Sequence, residues 1–333
     1  MLYNPLKDGK VQCILCNHRC VIPSSKRGIC GVRENREGKL YTLVYGHAIS
    51  LNVDPVEKKP LFHLLPGSTS FSIATVGCNF QCLQCQNHEI SQMPRDQEGR
   101  IEGSDISPSK IISLTKQYRC RSISYTYTEP TIYFEYAYEI ARHAHQEGIK
   151  NIFVTNGYMT GEALKTIQPY LDAANVDLKS FREKFYKEVC GATLKPILEN
   201  LKQMREMGIW VEVTTLVIPT LNDSDQEFEE IAQFILSLGA EVPWHISAFY
   251  PTYKMLNLPR TSPSLLHRAR EIGMRAGLRY VYCGNIPGEE GEDTFCPYCR
   301  HKVIERVGFR VTRNDVMNGE CPHCHGKLDG IWD

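Results

Sequence analysis

Phe71-Ser72-Ile73-Ala74-Thr75-Val76-Gly77-Cys78-Asn79-Phe80-Gln81-Cys82-Leu83-Gln84-Cys85 runs from a short β-rich segment into a loop whose three cysteines stand in a CxxxCxxC array. Three thiolates hold three irons of a [4Fe-4S] cubane, whereas a closed structural cluster takes four, so this spacing leaves one iron open to a ligand that reacts. A zinc site also takes four ligands, and His88 is the near candidate for the fourth. With His88 in that place the loop would be a metal module without turnover. The asymmetric spacing directly after a strand that begins a βα series favours the exposed redox cluster.

Outward from that loop, β-rich runs at 71–76, 122–126, 151–155, 174–178, 210–216 and 244–249 alternate with helical runs at 108–118, 133–146, 161–170, 197–207, 225–238 and 264–276. Ser107-Pro108 and the 223–225 stretch read as helix starts, and Gly148, Gly208, Gly239 and Gly277 as stops. Repeated βα units predict an α/β fold with a parallel sheet. Periodicity alone leaves a doubly wound sheet and a partial (β/α)6 TIM-type barrel both open. The barrel is favoured because polar and reactive residues recur just past the strand ends: the cysteine loop, Thr128 and Glu129, Asn156, Asp177 and Lys179, then His245.

Small cysteine-rich segments flank this core, giving an expected division into 1–67, 68–290 and 291–333. The first carries Cys13, Cys16, Cys20 and Cys30, then a turn at 34–38 that predicts a β-hairpin. Four thiols satisfy either zinc or an auxiliary iron-sulfur cluster, with zinc slightly favoured. The last carries Cys296-Pro297-Tyr298-Cys299 and Cys321-Pro322-His323-Cys324, two CxxC knuckles resembling a rubredoxin-like zinc ribbon around zinc or iron. About 40 residues make a marginal core, so a metal staple is expected there. The acidic run 289–293 reads as a solvated linker, and Cys120, Cys190 and Cys283 as small buried hydrophobes.

Composition narrows the class. The chain has 333 residues, 38 basic against 38 acidic side chains and 14 cysteines. Balanced charge gives no field for nucleic acid. No apolar run approaches the roughly 20 residues of a membrane span, and no basic-then-apolar leader opens the chain. Cysteines grouped in compact clusters are ligands in a reducing compartment, which predicts a cytoplasmic protein.

With these motifs in view, the chain resembles the radical S-adenosylmethionine (SAM) enzymes and, within them, the pyruvate formate-lyase activase branch. It is most similar to the AmmeMemoRadiSam system radical SAM enzymes. The likeness rests on residues 57–63 (EKKPLFH), 77–87 (GCNFQCLQCQN), 125–131 (YTYTEPT) and 175–179 (NVDLK), and extends over essentially the whole chain. It implies a [4Fe-4S] cluster on Cys78, Cys82 and Cys85 whose open iron chelates SAM, and one-electron cleavage to methionine and a 5′-deoxyadenosyl radical that abstracts hydrogen from a substrate the sequence does not name.

The resemblance also implies cofactor contacts. Thr128 and Glu129 lie where the branch has Gly-Gly-Glu-Pro, with Tyr127 and Thr128 in place of the glycines. Asp177 and Lys179 match an Asp-x-Lys motif, for which a plain strand-end ion pair is the rival account. Gln84 and Asn156 are further candidates, though Asn156-Gly157 is also ordinary turn chemistry. The branch's ribose-binding histidine falls near Tyr250, leaving His245 as a substitute or simply a core histidine. A flavodoxin- or ferredoxin-type electron donor and Memo-type and AMMECR-type proteins are the implied partners. Two other functions stand beside this one: an activase that installs a glycyl radical on a partner protein, and a non-catalytic zinc-ribbon binding protein.

Overall fold

The computed structural model describes residues 2–286 and 290–333. Its centre is one eight-stranded sheet: β1 (Ser50–Pro55), β2 (Thr69–Ala74), β3 (Ser122–Tyr125), β4 (Lys150–Thr155), β5 (Ala173–Asp177), β6 (Trp210–Val217), β7 (Trp244–Ala248) and β8 (Val281–Gly284). The strands follow chain order across the sheet, from β8 at one end to β1 at the other. All neighbours from β2 to β8 are parallel, and β1 alone pairs antiparallel, with β2. The six expected strands therefore gain two. Residues 50–55, placed by sequence in the amino-terminal segment, lie on the central sheet, and Val281–Gly284 adds a seventh parallel strand.

Six longer helices connect the parallel strands: α1 (Pro108–Gln117), α2 (Phe134–Gln146), α3 (Gly161–Ile167), α4 (Lys195–Glu206), α5 (Asp225–Leu238) and α6 (Pro263–Ala276). Their starts are chemically marked, because the side chains of Ser107, Thr160, Ser224 and Ser262 each accept from the N–H three residues on. In α2 the buried residues Phe134, Ala137, Ile140, Ala141 and Ala144 repeat at helical spacing and press that face onto the sheet. The aromatic run 131–139 thus serves packing.

The amino-terminal segment contributes a three-stranded sheet (Tyr3–Pro5, Val11–Cys13, Val21–Ile22) and the expected hairpin (Arg33–Arg36 with Lys39–Thr42). It sits against the loops beyond β4: Asn17 N donates to the Tyr158 carbonyl at 2.9 Å and Thr160 N to that of Leu15 at 3.1 Å. At the other end Thr294–Phe295, Lys302–Val307 and Arg310–Asn314 form an antiparallel sheet. Glu292 and Asp293, expected in a solvated linker, are buried: Asp293 accepts from Arg306 N at 2.7 Å and Glu292 from Gly308 N at 2.8 Å. Glu289 of that run lies outside the described residues.

Candidate active site

Because the strands of β2 to β8 run one way, the loops after them open on one face, where they surround a cavity of about 490 Å³. Cys78, Cys82, Gln84, Cys85, Thr128, Glu129, Asn156, Asp177, Lys179 and His245, the ten candidates from the sequence, all line it. His88 does not close the thiol array. It stacks on Tyr253, ring centres 4.5 Å apart, and is not among the lining residues.

The cysteine loop needs Gly77 at its start. Its φ is +98°, and a Cβ there would stand 2.6 Å from Val32 Cγ1. Burial, reinforced by Glu129, pushes the Cys78 thiol well up, and burial raises Cys85. Cys82 moves the other way, drawn down chiefly by the thiol of Cys190 donating to it. Cys190 had no local sequence signal. It ends the wide helical turn Tyr186–Cys190, whose last two carbonyls accept from Leu83 N at 3.0 Å and Gln81 N at 2.8 Å. That turn supports the cysteine loop from beneath.

Glu129 is wholly buried and burial raises its carboxyl. Oε1 accepts from Thr131 N at 3.1 Å, the Thr131 hydroxyl and the Thr155 hydroxyl at 2.8 Å, while Oε2 has a single donor, Asn156 N at 2.8 Å. The second lone pair of Oε2 is the acceptor left for a ligand. Thr128 spends its hydroxyl on the Thr75 carbonyl at 2.9 Å. Before it, Tyr127 adopts φ +62°, a conformation suited to glycine, and is held there by its hydroxyl on Asp54 and by Lys59 over its ring at 4.5 Å. Asp54 thereby joins Lys59 (Nζ···Oδ2 2.7 Å), Ser72 and Tyr127 beside the cavity.

Other candidates are already partnered. Lys179 Nζ donates to Asp177 at 2.7 Å, so the strand-end ion pair exists. Burial opposes the charge on Lys179, but Asp177 and the thiols of Cys82 and Cys190 outweigh it and hold the ammonium well above the usual lysine range. Asn156 Nδ2 donates to Asn79 Oδ1 at 2.7 Å while its Oδ1 accepts from Tyr158 N at 3.1 Å, so it serves both as a turn residue and as a tie to the cysteine loop. His245 Nε2 pairs with buried Glu212 at 2.6 Å, and Glu212 also accepts from the N–H groups of Phe62 and His63. His245 is therefore a cavity-wall histidine engaged within the core. Glu212 also explains the 57–63 segment, which it anchors against β6.

A three-thiol cluster with a bound ligand fits this set on one further observation. Buried Gln84 Oε1 and Asn79 Nδ2 have no hydrogen-bond partner, an acceptor and a donor left unsatisfied at the cysteine loop.

The flanking cysteines separate into two cases. Cys296, Cys299, Cys321 and Cys324 place all four sulfurs within 4.8 Å of one another, with Cys296–Cys324 at 3.6 Å and Cys299–Cys321 at 3.7 Å, a quartet able to bind a metal. Cys13, Cys16, Cys20 and Cys30 line a second, much smaller cavity. His18, between Cys16 and Cys20, is half-buried with Nε2 against the Asn79 carbonyl at 2.8 Å. Among the described residues no helix is long and apolar enough to cross a membrane.

Residues 72–235 match the family described as the Radical SAM superfamily. An uncharacterized protein of Methanocaldococcus jannaschii is 44% identical over 332 residues, 99% of this chain and 98% of that protein. The pyruvate formate-lyase-activating enzyme of Clostridium pasteurianum is 24% identical over 168 residues, 49% of this chain and 67% of that protein. Streptococcus suis SuiB bound to S-adenosylmethionine shares the fold with TM-score 0.51 at 14% identity, over 69% of this chain and 53% of that one. Superfamily proteins bind SAM and a [4Fe-4S] cluster, the two groups that the open thiol array and its cavity call for. The chain belongs to the radical SAM superfamily and is similar to its glycyl-radical activating enzymes.

Proposed function

We propose that this chain is a radical SAM enzyme that generates a 5′-deoxyadenosyl radical in the cavity at the carboxy-terminal ends of β2 to β8, the mouth of an open partial barrel. The observation that carries it is the gathering of Cys78, Cys82 and Cys85 with Glu129, Asp177 and Lys179 on one cavity. When bound, a [4Fe-4S] cluster with one open iron supplies the electron that splits the sulfonium bond of SAM.

The protein's own residues bind and orient. Cys78, Cys82 and Cys85 hold three irons. Glu129 offers the free lone pair of Oε2 to the methionine ammonium, and Gln84 Oε1 is a second buried acceptor. Lys179, kept protonated by Asp177, presents its cation to the methionine carboxylate, and Asp177, about one-third exposed, offers an acceptor to ribose hydroxyls. Apolar walls such as Phe80, Val154 and Leu216 limit water near the radical. The 291–333 segment is read as a zinc ribbon. Its Phe309 lines the cavity, which supports a role for that segment near bound substrate.

The test is anaerobic reconstitution with iron and sulfide, reduction, and assay for 5′-deoxyadenosine. Product at the level of a Cys78→Ala/Cys82→Ala/Cys85→Ala variant would sink the proposal. Similarity to the Clostridium pasteurianum enzyme favours a second reading, an activase acting on a partner protein. A persistent glycyl doublet in electron paramagnetic resonance (EPR) after incubation with a candidate partner separates the two. Placement in the AmmeMemoRadiSam system, with Memo-type and AMMECR-type partners, a flavodoxin- or ferredoxin-type donor and a cytoplasmic site, is supported by the sequence motifs.

A further inference from the structure

The amino-terminal quartet is used neither by the radical chemistry nor by the carboxy-terminal metal site, yet Cys13, Cys16, Cys20 and Cys30 face one cavity and form no disulfide. Its dimensions identify its occupant. A tetrahedral zinc ion with Zn–S bonds of about 2.3 Å sets its sulfurs about 3.8 Å apart, close to the 3.6 and 3.7 Å of the carboxy-terminal quartet. Among the described residues, no three of the four amino-terminal sulfurs come within the 4.8 Å that the other quartet satisfies. Four thiols that line one cavity yet stand wider apart than a single tetrahedral ion would set them fit a polynuclear centre, with each thiolate on its own iron.

A second feature of the same wall points to an anionic occupant. Arg33 is 2% exposed and binds Glu135 through both terminal nitrogens at 2.7 Å, while its buried Nε–H has no partner. An unsatisfied, charged donor beside four thiols is what a cluster's sulfurs accept from. The cavity also lies next to the central array. A Cβ on Gly77 would stand 3.0 Å from the Cys30 carbonyl, and His18, between Cys16 and Cys20, bonds the Asn79 carbonyl.

We propose that Cys13, Cys16, Cys20 and Cys30 bind a second [4Fe-4S] cluster, closed by four thiolates, which passes electrons to the cluster at Cys78, Cys82 and Cys85. One electron enters from a low-potential one-electron carrier and one leaves to the central cluster, with no bond made or broken. The cluster's identity is independent of the proposed radical chemistry; its relay role rests on it.

The experiment is acid-labile sulfide and zinc analysis of the Cys78→Ala/Cys82→Ala/Cys85→Ala variant, reconstituted anaerobically as the full chain. About four sulfides per chain and the EPR signal of a reduced four-iron cluster are expected, against about eight sulfides in the wild type. No sulfide in the variant, with zinc in the amino-terminal quartet, would overturn the proposal. If the triple variant does not fold, Cys85→Ser is read in the same way. The wild-type excess over the variant reports the central cluster alone, so failure of the radical reading appears in that difference and failure of this proposal in the residue. In reduced wild-type protein, spin coupling between the clusters is expected to broaden the EPR signal, and two uncoupled signals would overturn the relay.

Discussion

The two terminal quartets hold the same four thiols, and both contain a CxxC, but they surround different spaces. At 296–299 and 321–324 each CxxC closes on itself: Cys296 N donates to His301 O, Arg300 N to Cys296 O, and Cys321 N to Gly326 O. Both sulfurs of each knuckle then point one way, and the knuckles meet sulfur to sulfur. At 13–16 the same spacing takes another path, with a bend at Leu15 and the turn closing after Cys16, where Arg19 N donates to the Cys16 carbonyl. Cys13 ends a strand, and Cys16 is drawn into a bridge with Met159 beyond β4. Spacing along the chain fixes a knuckle only where the backbone is free to turn; where a neighbouring element claims the residues, the ligands spread and the site becomes a larger one.

Removing ligands tests that difference most strongly. Cys82→Ala is expected to abolish 5′-deoxyadenosine formation, a loss of at least about 10³-fold set by the assay background, while leaving the carboxy-terminal metal bound. Cys321→Ser is expected to release that metal and make residues 291–333 protease-sensitive, because two of the five residues in the segment's small buried cluster, Cys296, Val303, Ile304, Cys321 and Leu328, are themselves members of the thiol quartet. Labile sulfide should not change. Loss of sulfide in Cys321→Ser would erase the distinction between the two quartets.

A smaller effect is expected at the wall of the amino-terminal cavity. Burial pushes Glu135 up, but the two bonds from Arg33 win and hold it at about 2, against an ordinary 4.5. A depressed carboxyl stabilises the fold above its unfolded value and loses that contribution as the pH falls from about 4.5 toward 2. Glu135→Gln leaves Arg33 buried without its counter-charge and should cost about 3 kcal/mol at neutral pH. Urea midpoints followed from pH 6 to pH 3 (roughly the span of this titration) should fall more steeply in the wild type than in the variant. Parallel curves would show that the pair does not carry that acid sensitivity.

The central fold was readable because its signals are local. Serine caps, glycine stops and the apolar stripe of α2 each lie within one helix. The strand β1 was not, because Asp54 and Pro55 argue against a strand, and it takes Lys58, Lys59, Ser72 and Tyr127, all outside the strand, to make a buried aspartate tolerable there. β8 is four residues long and ends at a glycine, too short to stand out. The site divides the same way. Apart from His245, which lies within β7, its candidates gather because each stands at or just past the end of a parallel strand, which the βα repeat predicts. Their partners were hidden because they depend on pairing across the sheet: Glu212 reaches His245 only through the register that sets Thr214 opposite His245. The occupant of the amino-terminal quartet was undecided for the same reason, since Met159 lies far along the chain from Cys16, with which it bridges.

Cys190 gives the finest test of how a site is defined by what surrounds its thiols. It sits 108 residues from Cys82 in sequence and donates its S–H to that sulfur, lowering Cys82 and being itself pushed well up, chiefly by burial. A donor to a cluster-bound thiolate stabilises the reduced, more negative state. Removing it should therefore lower the midpoint potential without removing iron. In Cys190→Ala the central cluster should keep its sulfide, and its reduction potential should fall on the order of tens of millivolts. Deoxyadenosine formation should slow with a weak reductant and recover with a strong one. Loss of iron instead would make Cys190 a fourth ligand, and the open iron on which SAM is proposed to bind would no longer be open.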